Sequence, residues 1–396
     1  MTSGLVERRL SDDPHRPNHL AGWADQVTDY WSQVRVADFL CGALIVFAAF
    51  ISPLPIPSGV LVSTIICLWA SCVRPQWSIS WGGAMMGAGV VMLGYLAYVS
   101  TINGMPWGQR ITKFVLLLGL AAAFAQRRID VRSFIVGTMT MSVINVAMFY
   151  AGATPNRYPP YLTGFYDDKN VAGMYYALFG LLGLLVTRGR WWSAGWIVFS
   201  GAAVFLTGSR TSISAFLLAL AWLGLRNRVA PTVRLLLVAA GVWLLILVES
   251  TFARVGMFAD RTGTDMFRAQ IEQAMADKVA LTPWYGGGLN QGFVMLGGVR
   301  RMWFHDSYLQ AFAEGGYVFL GITLVVFVIG GVGLFSPRLR VSRELLIAEA
   351  AIVTILVCAW KLGEVFMTVG AFIALGIAIG ARFGRRRTVQ EQEWLR

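Results

Sequence analysis

The chain has 396 residues, 56% of them hydrophobic and only 14% charged, and its mean hydropathy is +0.61. A soluble domain is about 25% charged, so this composition excludes an ordinary soluble globule and predicts a polytopic membrane protein. The net charge of +12 would suggest nucleic acid in a soluble chain, but here the basic residues follow membrane topology and no nucleic-acid partner is expected.

Residues 1–36 are polar and show no apolar core followed by a cleavage site, so they read as a cytoplasmic tail rather than a cleaved signal peptide. A membrane-spanning helix needs about 20 mostly apolar residues. Candidate spans lie near 37–53, 58–73, 79–99, 111–126, 133–151, 170–187, 191–207, 211–226, 232–249, 306–335, 344–360 and 364–381. The expected fold class is therefore all-α, a polytopic membrane helix bundle with about 12 transmembrane helices. Its layout is a tail (1–36), nine spans (37–249), one large outer loop (250–304), three spans (305–381) and a basic cytoplasmic tail (382–396).

The positive-inside rule supports this arrangement. With a cytoplasmic N-terminus, 21 of the 33 basic residues fall on the inner side, among them Arg127, Arg128, Arg226 and Arg228 in short turns. Both termini are then cytoplasmic. The other 12 lie outside, where the rule disfavours them: Arg110, Lys113, Arg157, Lys169, Arg210, Arg254, Arg261, Arg268, Lys278, Arg300, Arg301 and Lys361. Such a gathering of cations suits an anionic ligand arriving from the membrane. The cysteines Cys41, Cys67, Cys72 and Cys358 all sit in apolar runs without metal spacing and read as small buried hydrophobes.

Two outer loops have a pattern of their own. Thr154–Tyr161 is rich in Pro and Tyr, hence extended, and leads into Gly164–Asn170, where Asp168, Lys169 and Asn170 suit either helix capping or binding. In the large loop Phe267, Ile271, Met275 and Val279 recur every four residues beside Ala274, which predicts an amphipathic helix capped by Thr264 or Asp265. That helix either lies on the membrane surface or covers the bundle. Pro283–Gly288 then predicts a tight turn.

His305 ends this loop where the chain re-enters the apolar region, with Asp306 or Ser307 available as cap. The positive end of a helix dipole disfavours imidazolium, so a proton-accepting imidazole is expected. A lone histidine is more often an interfacial group bonded to a loop carbonyl, but its position after the long loop favours function. Arg210 opens a span in Thr207-Gly208-Ser209-Arg210-Thr211-Ser212, beside hydroxyls and free backbone amides that suit phosphate, against the plainer reading of snorkelling. Arg268, a possible i+4 partner of Glu272, and Lys361, a possible interfacial anchor, are as consistent with structure as with binding. Glu314, nine residues beyond His305, reads as a packing or hydrogen-bonding group.

His305-Asp306-Ser307-Tyr308-Leu309, followed by Glu314-Gly315-Gly316, resembles the histidine–glutamate–glycine signature of the O-antigen ligase and polymerase superfamily. Pro283–Gly288, Gly208–Thr211 and Gly164–Asn170 are similar to three further segments of that family, in the same order. One departure is Asp306, where many members carry Asn; both residues cap helices. The resemblance implies a metal-independent, cofactor-free, inverting glycosyltransferase of the GT-C type in the bacterial inner membrane, active on the periplasmic face. The donor would be a glycan on undecaprenyl pyrophosphate and the acceptor a hydroxyl of lipid A–core or of another glycan. His305 would be the general base, and Arg210, Arg268 and Lys361 would hold the pyrophosphate. Asp168, Lys169, Asn170, Ser209 and Arg301 are candidate substrate contacts. A ligase is preferred to a polymerase because one outer loop is large. A transporter or flippase is the alternative of another class, but no paired repeat is visible and the charges gather at the outer edge.

Overall fold

The computed structural model describes residues 34–47, 57–251, 262–298, 300–337 and 340–388. Most of both expected tails lies outside the described residues. The helices are α1 (Val36–Phe47), α2 (Ser58–Ser71), α3 (Gly82–Ile102), α4 (Gly108–Ala125), α5 (Val131–Tyr150), α6 (Lys169–Leu182), α7 (Arg190–Leu206), α8 (Arg210–Leu225), α9 (Pro231–Thr251), α10 (Thr262–Leu281), α11 (Ser307–Leu324), α12 (Arg343–Ala359) and α13 (Val369–Phe383). Alternating polar turns and apolar runs set these boundaries, and side-chain caps sharpen them. Asp130, Asp168, Ser209, Asp306, Ser342 and Thr368 each accept from backbone amides of the helix they open, as N-caps do.

Among the described residues four helices are long and apolar enough to cross a membrane: α3, α4, α5, and α11 with its continuation to Val332. The chain is thus a mostly helical membrane protein. Helices occupy the positions of the other predicted spans; α6 and α13 are shorter than expected, and α9, Pro231–Thr251, is longer. The tenth ends at Val332 in a π-helical turn over Val325–Val332, and the last begins at Val369 after a 3-10 turn, not at 364.

Small residues bring the helices close, as is usual where lipid replaces water as the competitor. A Cβ on Gly42 of α1 would strike the Phe134 carbonyl of α5, and one on Gly137 of α5 would strike the Phe39 carbonyl of α1. Thr138 Oγ1 donates to Gly42 O across this contact at 3.1 Å. At the centre stand α12 and α13, whose Ile352, Ile355, Ile373, Ala374 and Ile377 are wholly buried.

The all-α expectation needs one addition. Among the described residues two small antiparallel sheets are present: β1 (Trp77–Ile79) pairs with β4 (Gly384–Arg386), and β2 (Phe293–Leu296) with β3 (Arg300–Trp303). The loop helix α10 starts at Thr262, before the expected cap at Thr264 or Asp265. Its apolar face covers the bundle: Ile271 and Met275 are buried against Val294, Phe304 and Ala313. Among the cysteines Cys72 is exposed, against expectation, and Cys67 is half-buried.

Candidate functional site

The hairpin of β2 and β3 delivers the chain to His305. Phe304 is buried, and its amide donates to Gly292 O at 2.9 Å. His305 is half-buried in the bend just before α11. Asp306 accepts from the amides of Tyr308 and Leu309 at 2.8 and 2.9 Å, which fixes the direction in which α11 leaves. Burial pushes the Asp306 carboxyl up, while those two amides and Lys361 oppose the rise.

The turn between α12 and α13 is stapled to this corner. Ser307 Oγ donates to Leu362 O at 2.6 Å and accepts from the Val365 amide at 2.9 Å. Gly363 lies so close to Phe304 that a Cβ there would strike the Phe304 carbonyl. Lys361 is therefore beside the His305 segment. Its Nζ lies 3.4 Å from Glu272 Oε1 of α10. Arg268 is one turn before Glu272 on the same helix; its side chain lies outside the described residues.

Arg210 reaches the same end of the bundle by another route. α8 and α12 run antiparallel, and Ser212 hydrogen-bonds Cys358, so the first turn of α8 faces the last turn of α12. Ser209 is buried and its Oγ lies 2.9 Å from Ser212 Oγ. Its side chain caps α8, accepting from the Ser212 amide. A Cβ on Gly208, whose φ is +63°, would strike the Tyr161 ring, and Gly173 of α6 packs on Thr207 and Ser212. The Tyr158–Asn170 segment and the Thr207–Ser212 turn are thus neighbours. Lys169 Nζ lies 4.4 Å from the Tyr161 ring centroid. Asp168 caps α6 through the amides of Asn170 and Val171 at 2.8 and 3.0 Å. Burial first, and then Asp168, pushes the Tyr158 hydroxyl up.

Beneath His305 lies a network that sequence reasoning missed. Arg110, in the first turn of α4, pairs with Glu314 of α11 at 2.7 Å and with Glu364 of the α12–α13 turn. Lys113 pairs with Glu364 at 3.0 Å. Gln310 Nε2 lies 3.5 Å from Glu314 and 3.4 Å from Glu364, and its Oε1 accepts the Glu364 amide at 2.9 Å. Burial opposes ionisation of Glu364, but Lys113 and Arg110 outweigh it and hold the carboxyl at about 2. The available signal was Arg110 and Lys113, three apart at the start of an apolar helix, which the sequence groups with the outer cations suited to an anionic ligand.

Glycines seat this network. Within α11, Gly315 and Gly316 leave helical geometry, Gly316 at φ +64° and ψ −161°. The Pro283–Gly288 turn fills the break: the amides of Gly287 and Gly288 donate to Ala313 O and Glu314 O at 2.8 and 2.9 Å, and the Tyr317 amide donates to Trp284 O at 2.9 Å. Backbone groups freed by such a break need partners, and here the turn supplies them.

Arg301 lies on β3, exposed, its guanidinium 3.8 Å from the Phe293 ring centroid and 4.4 Å from that of Trp303. It braces the hairpin, with Lys278 on the other side donating to Gln291 O and Phe293 O, each at 2.7 Å. Burial and then Arg301 push the Lys278 ammonium down. One end of the bundle thus collects an imidazole, several cations and the turns that hold them. That arrangement can accept a proton beside a bound anion. Among known proteins, no family model, curated sequence or solved structure matches the chain.

Proposed function

We propose that the chain is a membrane glycosyltransferase of the O-antigen ligase kind, with a GT-C-type bundle of twelve spans in which the shorter helices cross in company. It would move a glycan from undecaprenyl pyrophosphate to an acceptor hydroxyl, lipid A–core being preferred, on the periplasmic side of the bacterial inner membrane. The observation that supports this reading is convergence. His305, Lys361, Arg210 and Lys169 come from four distant stretches of sequence and meet at one end of the bundle.

In the proposed reaction His305 takes the proton of the acceptor hydroxyl as its oxygen bonds to the anomeric carbon. The bond from that carbon to the pyrophosphate oxygen breaks on the opposite face, which inverts the centre. Arg210 and Lys361, with Arg268, offset the charge that develops on the leaving pyrophosphate. A positioned base contributes about 10²–10⁴-fold.

Two buried ion networks invite the transporter reading, since intramembrane charge marks ion paths. Both lie near helix ends, however. Glu314 is in the second turn of α11 and Arg110 in the first of α4, while Glu349 is in the second turn of α12 and Arg382 in the last of α13. A transport site is expected near the bilayer midplane, so these helix-end positions support the transferase reading over it.

The test is a lipopolysaccharide gel of a deletion strain complemented with wild type or His305→Ala. Loss of the long ladder with accumulation of undecaprenyl-linked polymer supports a ligase in which His305 is essential. Cores bearing a single repeat redirect the reading to a polymerase. A full ladder from His305→Ala removes the base and with it this mechanism.

A further inference from the structure

At the opposite, arginine-rich end a cavity of about 440 Å³ opens between the α4–α5 turn, the start of α5, the stretch after α6 and the start of α12. Arg127, Arg132 and Arg343 line it together with Leu185, Val186 and Ile347. Its two carboxylates are already engaged by the wall. Asp130 caps α5, accepting from the Ser133 amide at 2.8 Å, and Glu344 pairs with Arg127.

The cations are held in place. The Arg127 guanidinium lies 4.5 Å from the Trp77 ring centroid. Arg343 donates to Leu184 O and Thr187 O at 2.8 and 3.1 Å. The β1–β4 pairing sets Arg386 opposite Trp77, and the Arg387 amide donates to Gln76 O at 3.0 Å, so a second basic stretch is fixed at the rim. Burial pushes Arg127 down to about 10, which leaves it a cation at neutral pH.

We propose that this cavity binds the phosphate of an anionic phospholipid headgroup, with the first part of the acyl chains against Leu185, Val186 and Ile347. Guanidinium groups match phosphate through paired donors, and basic pockets between membrane helices take lipid headgroups. A soluble phosphate ester shares the polar chemistry but makes no use of the apolar wall. The inference is independent of any activity at the His305 end.

The full chain, stripped of lipid in detergent, is titrated with phosphatidylglycerol, phosphatidylcholine or glycerol phosphate, and bound ligand is read by native mass spectrometry. Wild type is expected to prefer phosphatidylglycerol. Arg132→Ala with Arg343→Ala is expected to weaken it on the order of 30-fold, about fivefold per guanidinium. Arg300→Ala, at the other end, is expected to leave affinity unchanged. Lipid-free melting checks folding, and Arg132→Lys with Arg343→Lys, which keeps the charge, replaces the alanine pair if that pair melts early; it is expected to lose part of the affinity. Equal binding of the two phospholipids overturns the proposal, as does a folded double variant that binds like wild type. Glycerol phosphate binding as tightly as phosphatidylglycerol overturns the lipid assignment.

Discussion

The two ends of the bundle each bury an ion network, and they are built differently. At the His305 end two acids meet two bases, Glu314 and Glu364 against Arg110 and Lys113, with Gln310 between the carboxylates. At the other end one carboxylate, Glu349, is shared by Arg226 at 2.9 Å and Arg382 at 2.8 Å and also accepts from Trp222 at 3.2 Å. The first network balances internally, so it can hold the His305 corner without adding net charge there. The second concentrates positive charge where the inner headgroups are expected. Burying charge is costly unless it is paired, and the two ends meet that cost by balance in one case and by sharing in the other.

The largest expected effect tests the sharing. Glu349→Leu leaves Arg226 and Arg382 buried without their carboxylate and is expected to cost about 3–5 kcal/mol, read as melting temperature in detergent. Replacing all three with apolar residues of similar size is expected to recover much of that loss. If Glu349→Leu melts like wild type, Glu349 does not organise that end.

Balance predicts a smaller effect at the other end. Arg110→Leu strands Glu314 but leaves Glu364 with Lys113, so about 3 kcal/mol is expected. A double-mutant cycle with Glu314→Leu measures the coupling, and a value near zero breaks the comparison.

Gly316→Ala comes next, at about 2–3 kcal/mol, because its backbone region is almost reserved for glycine and the added Cβ meets Trp284 O. The same change at Gly321, where nothing lies within 4 Å of the added Cβ, is the control and is expected to be near neutral.

The smallest effect concerns pH. The Glu364 carboxyl lies at about 2 in the folded chain against a usual 4.5. Stability from its pairs is therefore complete above about 4.5 and lost as pH falls toward about 2. Glu364 is partly exposed, so the gain is held under about 1 kcal/mol. Melting of wild type and Glu364→Gln should converge across that window, and curves that stay parallel would refute the pairing.

Local patterns explain what the sequence disclosed. The caps at Asp168 and Asp306, the amphipathic face of Ile271 and Met275, and the turn at Pro283–Gly288 all depend on neighbours a few residues away. What stayed hidden depends on distance along the chain. Arg110 and Glu364 are 254 residues apart, and no periodicity links them. The glycine pair in α11 was visible, but not that the Pro283–Gly288 turn would seat itself there. Arg301 carried the same charge as Arg210 in the sequence, and nothing local showed that the rings of Phe293 and Trp303 would flank it. His305 and Arg210 were legible from their places at helix starts, whereas Arg268 and Lys361 were set apart from ordinary surface cations by the resemblance alone.

The pairing of β1 with β4 also orders events in time. Ser78 and Arg385 meet across 307 residues. At about 5–20 residues per second, a ribosome needs on the order of 15–60 s to make the second strand after the first. Throughout that interval Trp77–Ile79 waits with an open edge, and every helix from α3 to α13 is made before the edge closes. The small sheet is a latch that only a nearly finished chain can engage, and a chain cut before Gly384 would keep its helices and lose it.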